Sequence, residues 1–235
     1  PDVENLVYVN YIDDSQNVDS LAMYYYKSDY KPEKNENYRI EVNHSDYSSI
    51  SAETYIPDDI SLYNIDIDTT SSEEKIGFTF SFDDNASQQN YYRLKLFSSC
   101  KKEWENEDGD IEEWNFRGDT RFMSNDPSFP SEIPFEGYTF EGDNVVFTDA
   151  LFNGQQKTIT LDVISDLKYA DCDTIIIQFS TFSDDTYSYY NSLGDHSEKG
   201  ELSIFGGEVI PVYSNVENGL GVLISTNAQQ IYLKP

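Results

Sequence analysis

The chain has 235 residues, long enough to bury a sizeable core, and no apolar run approaches the roughly 20 residues that cross a bilayer as a helix. Its 15 Lys and Arg face 44 Asp and Glu, a formal net charge of −29, and the acids are spread along the whole length. Such a surface repels phosphate backbones and anionic headgroups, which argues against nucleic acid as a partner and suits a soluble, surface-exposed protein.

An acidic chain poor in apolar residues would stay disordered, but 19 Tyr, 14 Phe and 2 Trp supply burial and fit the pleated face of a sheet. The first strand-like runs are Leu6 to Ile12, Leu21 to Tyr26, Tyr38 to Val42 and Ile50 to Tyr55. Pro57-Asp58-Asp59 then breaks the pattern and sets a domain boundary near residue 58. With about four strands, residues 1–58 are thin for a sandwich of the usual seven. They have either lost their first strands or lean on the second domain.

A series of longer strands opens at Ile60 to Asp68 and continues through Ile76 to Phe82 and Tyr91 to Phe97. In the second of these, Ile76, Phe78, Phe80 and Phe82 alternate with Gly77, Thr79 and Ser81, the period of two that a half-buried strand requires. Residues 101–134 show no strand pattern and read as a long loop carrying Trp104, Trp114, Phe116, Phe122 and Phe129. Strands resume at Val145 to Phe147, Lys157 to Val163 and Thr174 to Phe182. Asp184 to Leu193 is the one helix expected, with acids in its first turn to suit the helix dipole.

Beyond it come strand-like runs at Glu201 to Phe205, Val209 to Tyr213, Gly221 to Thr226 and Gln230 to Leu233. Asn215, Asn218 and Gly219 write a tight turn between Pro211 to Tyr213 and Leu220 to Ser225, so a hairpin is expected there. The sum is an all-β protein whose residues 59–235 form an antiparallel β-sandwich. Cys100 and Cys172 are too few for a disulfide scaffold and too far apart for a metal knuckle; they are one bridge between strand ends or two inert thiols.

Catalytic signatures are sparse. His44 sits in a polar turn and His196 in the loop GDHSEKG, both reading as exposed, and no HExxH, P-loop or GxSxG occurs. No enzyme activity is expected, with a hydrolase using two carboxylates as the remote alternative. Binding chemistry is better represented. Trp104, Trp114 and Phe116, with Tyr189 and Tyr190, are of the type that stacks on sugar rings or anchors an interface. Asn106, Asp108 and Asp110 around Gly109 are similar to the alternating ligands of a calcium loop, although Trp104 stands where the first ligand belongs.

Six segments in order carry a family resemblance: NENYRIEV from Asn35, SAETYIPDDI from Ser51, QNYYRLKLF from Gln89, FTDALFNGQ from Phe147, DTYSYYNSL from Asp185, and the closing VYSNVENGLGVL. Together they resemble a family of Bacteroidota outer-membrane lipoproteins catalogued as domain of unknown function 4249. The resemblance implies an immunoglobulin-like N-terminal part before a larger β-sandwich. It also implies a lipid anchor outside this chain, location at the outer membrane facing the cell surface, and an outer-membrane β-barrel transporter of the TonB-dependent kind as partner. No catalytic residues come with it. Proteins of that phylum are glycosylated at Asp-Ser/Thr-apolar tripeptides, which Asp19-Ser20-Leu21 and Asp173-Thr174-Ile175 resemble, making Ser20 and Thr174 candidate acceptors.

The function expected is therefore a non-enzymatic accessory or ligand-capturing subunit taking a glycan or peptide. A free-standing carbohydrate-binding or calcium-dependent module is the alternative. No cofactor is called for beyond a structural calcium ion.

Overall fold

The computed structural model describes residues 6–12, 18–69, 75–106, 109–130, 137–164, 171–202 and 211–234. Among the described residues the fold is all-β with one helix. A first unit, residues 1–32, contains the antiparallel hairpin of β1 (Leu6–Ile12) and β2 (Val18–Tyr24). The second unit, residues 33–235, is a sandwich of two antiparallel sheets with a small third sheet.

The first sheet runs in the order β10 (Phe140–Gly142), β9 (Phe122–Ser124), β12 (Gln156–Ile164), β6 (Lys75–Asp83), β5 (Tyr63–Asp68). The second runs β11 (Asn144–Thr148), β7 (Tyr91–Glu105), β13 (Asp171–Phe182), β15 (Thr226–Leu233). In the third, β4 (Tyr47–Tyr55) pairs with β3 (Asn37–His44) on one side and with the two residues of β14 (Val216–Glu217) on the other.

Alternation builds the core. Phe78, Phe80 and Phe82 of β6 and Ile159, Leu161 and Val163 of β12 turn inward from one sheet. They meet Tyr92, Leu94 and Leu96 of β7 and Ile175, Ile177 and Phe179 of β13. Aromatic rings lock the middle, with Phe82 edge-on to Tyr92 at 5.2 Å and Phe80 edge-on to Phe179 at 6.0 Å. Each such buried side chain contributes about 1.5–3 kcal/mol of hydrophobic stabilisation. At one end, Tyr92 donates its hydroxyl to buried Asp84, which also accepts the Gly154 N–H at 2.7 Å. Gly154 has φ +71°, and a Cβ there would stand 2.6 Å from the Ala86 Cβ, so only glycine fits.

Four sequence expectations need correction. The domain boundary lies after Pro32 rather than near 58, because β3 and β4 join β14 from the far end of the chain. The four strands of residues 1–58 thus divide between two sheets rather than forming one immunoglobulin-like body. The loop expected at 101–134 is largely sheet: residues 101–105 extend β7, β8 (Ile111–Asp119) folds back on them, and β9 follows. Its period-two signal was hidden because charged residues fill the second face.

Pro211 to Ser225 is not a hairpin of two strands. The Asn215 carboxamide stands in for a partner strand, accepting the Leu223 N–H at 2.8 Å and donating to the Leu223 and Glu53 carbonyls at 2.9 and 3.1 Å. Last, helix α1 spans Asp184–Leu202 instead of ending at Leu193. Helix-favouring Glu198, Lys199, Glu201 and Leu202 carry it past Gly194, placing His196 in the helix, while the rest of the strand expected at Glu201 to Phe205 lies outside the described residues. Among the described residues, no helix is long and apolar enough to cross a membrane.

Candidate functional site: an aromatic ribbon and an uncharged groove

One edge of β7 is shared. β11 pairs with Tyr91 to Lys95, and β8 takes over from Phe97 to Glu105. On the other edge β13 pairs only as far as Lys101, so among the described residues the end of β7 pairs with β8 alone. The result is a two-stranded ribbon running on from the sandwich.

Cross-strand register gives the ribbon two unlike faces. The pairs Cys100–Phe116, Lys102–Trp114 and Trp104–Glu112 put Trp104, Trp114 and Phe116 on one face. Trp114 stacks on Phe116 with ring centroids 4.8 Å apart, yet remains 55% exposed, and Trp104 is 41% exposed. The opposite face is ionic: Lys101 bridges Glu103 at 2.7 Å and Glu113 at 2.6 Å, which holds its ammonium charged well above the ordinary range. Three residues that the sequence scatters over a supposed loop therefore form a single stripe.

The ribbon tip is closed by Asn106. Its side-chain oxygen accepts the Asp110 N–H at 2.9 Å, its amide donates to Glu112 at 3.0 Å, and Gly109 turns at φ +84°. Asn106 and Asp110 are thus members of a turn, while Asp108 lies outside the described residues. Among the described residues no group of three His, Cys, Asp or Glu is placed to hold a metal ion.

At the base of the ribbon Cys100 and Cys172 form a disulfide across directly paired positions of β7 and β13. Thr174, just beyond the bulge there, is 7% exposed and donates its hydroxyl to Asp173 at 2.7 Å. A glycan on Thr174 would have to be attached before folding. Ser20 lies within β2.

A groove of about 640 Å³ opens between α1 and the free edge of β11. Tyr187, Tyr190 and Asn191 form its helical wall, all five residues of β11 line the other, and Ser128, Phe129 and Pro130 with Phe140 of β10 complete the lining. Tyr190 is fixed by stacking on Phe182 at 5.6 Å and by edge contact with Tyr189 at 5.4 Å. Tyr187 stacks on Tyr91 at 4.4 Å. Burial and the neighbouring Asp184 push the Tyr91 hydroxyl up to about 12, so it stays a neutral phenol. Among the described residues lining the groove none is charged, although a quarter of the chain is.

The helical wall is positioned by residues that the sequence reading missed. Ser183 caps α1, accepting the Thr186 N–H at 3.2 Å, and lies with Thr54, Thr186 and Ser225 in a buried hydroxyl cluster. A serine directly ahead of Asp184-Asp185 was the available cap signal. Tyr213 fastens the chain beyond the helix by donating its hydroxyl to Asp185 at 2.6 Å; that bond and burial raise its pKa to about 12.

A smaller recess of about 320 Å³ gathers Asp58, Asp59, Asp83 and Asp84. Its acids are already engaged: Lys34 pairs with Asp58 and Asp59, Tyr63 donates to Asp83 at 2.6 Å, and Asp84 takes Tyr92 and Gly154.

The family model for a domain of unknown function, DUF4249, matches residues 4–231. The chain belongs to this family. No curated protein and no solved structure matches it. The match of the DUF4249 model takes in both units, the ribbon and the residues of the groove.

Proposed function

We propose that this protein is a non-enzymatic, lipid-anchored subunit at the outer face of an outer membrane, docking on a TonB-dependent β-barrel transporter and holding ligand for it. The observation that carries the reading is the ribbon. Trp104 and Trp114 present large rings to solvent on a two-stranded extension, and exposed tryptophans on one face are the residues that dominate protein interfaces. A disulfide between Cys100 and Cys172 fits a protein that matures in an oxidising compartment.

Affinity capture from detergent-solubilised outer membranes tests this. The wild-type protein should bring down a β-barrel partner, and Trp104→Ala/Trp114→Ala should not. Recovery of no barrel by the wild type overturns the reading.

A free-standing carbohydrate-binding module is the second reading, favoured by the tyrosines and amides of the groove. A glycan that raises the melting temperature of the isolated protein would support it. A rise with calcium alone would instead point to the ribbon turn.

A further inference from the structure

We infer that the groove between α1 and β11 takes an uncharged, extended peptide segment, bound by adding a strand to the free edge of β11. This rests on the ligand-holding half of the reading above and names the class of ligand.

The hydrogen-bond parity of β11 supplies the argument. Asp143 accepts the Leu96 N–H and Asp149 donates to Asn90, so Asp143, Val145, Phe147 and Asp149 occupy the hydrogen-bonded positions opposite β7. Asn144, Val146 and Thr148 occupy the alternate positions, so their N–H and C=O groups turn away from β7, and all three residues line the groove. Among the described residues no strand pairs with that edge. Three donor–acceptor pairs repeating every second residue match the main chain of one extended polypeptide. A sugar offers no such repeat.

Charge selects the segment. An Asp or Glu side chain would lose water in an uncharged groove while approaching a chain of net charge −29, and a Lys or Arg would find no counter-ion among the described lining residues. Side chains directed at α1 instead meet Tyr187 and Tyr190, which suit apolar or aromatic residues. The five-residue edge fits a segment of about five residues, roughly 17 Å when extended.

The test uses the full chain and a phage-displayed library of nonapeptides lacking Asp, Glu, Lys and Arg. Selected peptides should slow amide exchange at Asn144, Val146 and Thr148, while Val145 and Phe147 stay as protected as in the free protein. Val146→Pro removes an outward N–H and leaves the β7 ladder intact, so it should weaken those peptides at least about tenfold. Asn144→Pro, at the first residue of the strand, serves if Val146→Pro melts early. No enrichment, or peptides whose affinity both proline variants retain, overturns the inference. So does a glycan that binds in the groove and ignores these prolines, or a dimer of this chain that they dissociate. The ribbon capture above can succeed in each of these cases, so the two failures stay distinguishable.

Discussion

Thr186 and Ser225 exchange two hydrogen bonds through a single hydroxyl: the Thr186 Oγ1 donates to the Ser225 carbonyl at 2.7 Å and accepts the Ser225 N–H at 2.9 Å. The first residue sits in the opening turn of α1 and the second just before β15, so this pair sets where the helical wall of the groove stands. Both residues are buried, Thr186 to 1% exposure.

Thr186→Val keeps the shape and removes the hydroxyl. It leaves a buried N–H and a buried carbonyl without their partner, a loss of about 1–3 kcal/mol. Urea unfolding should report it as a lower midpoint with unchanged slope. Stability within about 0.5 kcal/mol of wild type would show that the cluster does not hold the helix.

The two tryptophans of the ribbon should behave in the opposite way. They are exposed and their stripe lies off the core, so Trp104→Ala and Trp114→Ala should each shift stability by no more than about 0.5 kcal/mol. A loss of several kcal/mol on calorimetry would make them structural and remove the interface argument.

Replacing both cysteines by serine opens a link between positions 72 residues apart. The expected cost is about 2–4 kcal/mol, mainly through the freer unfolded chain. Equilibrium unfolding with and without reductant should show the wild type falling to the level of the double variant. Indifference to reductant would count against the bridge.

Two carboxylates give opposite pH signatures. Burial, and then the nearby charge of Asp84, raise the pKa of Asp149 above the ordinary value, although its Oδ2 accepts the Asn90 N–H at 2.8 Å. A raised carboxyl favours the fold most below its unfolded pKa of about 3.9, and that contribution is lost as pH rises through the folded value. Relative to Asp149→Asn, the wild type should therefore lose stability as pH climbs from about 3 and level off above the folded pKa. Asp58 runs the other way. Its hydrogen bond to Lys34 depresses it, so its contribution is present above about 3.9 and disappears as pH falls toward the folded value. Denaturation midpoints of Asp149→Asn and Asp58→Asn across pH 2 to 7 should slope in opposite directions against wild type; parallel slopes would contradict the assignment.

The core strands were legible because their alternation is strong. Ile76 to Phe82 and Lys157 to Val163 appear within a residue of the observed β6 and β12, and Phe80 and Ile159 face each other at full burial. Chemistry that runs across strands was not legible. Trp104 and Trp114 are ten residues apart and become one stripe only once the register of β7 and β8 is fixed. Asn215 looked like a turn residue, and its composition cannot reveal that its side chain replaces a partner strand. Of the tyrosine pair, Tyr190 lines the groove and Tyr189 supports it.

The location of the disulfide has a mechanical consequence. A load applied to the ribbon would unzip β7 from β13 one hydrogen-bonded rung at a time, beginning where the overhang leaves the sheet. Cys100 and Cys172 occupy nearly the first rung on that route. Tension is therefore handed to a covalent bond before it can travel down β7 toward Tyr92, and the body of the protein can be tugged by its extension without being peeled open.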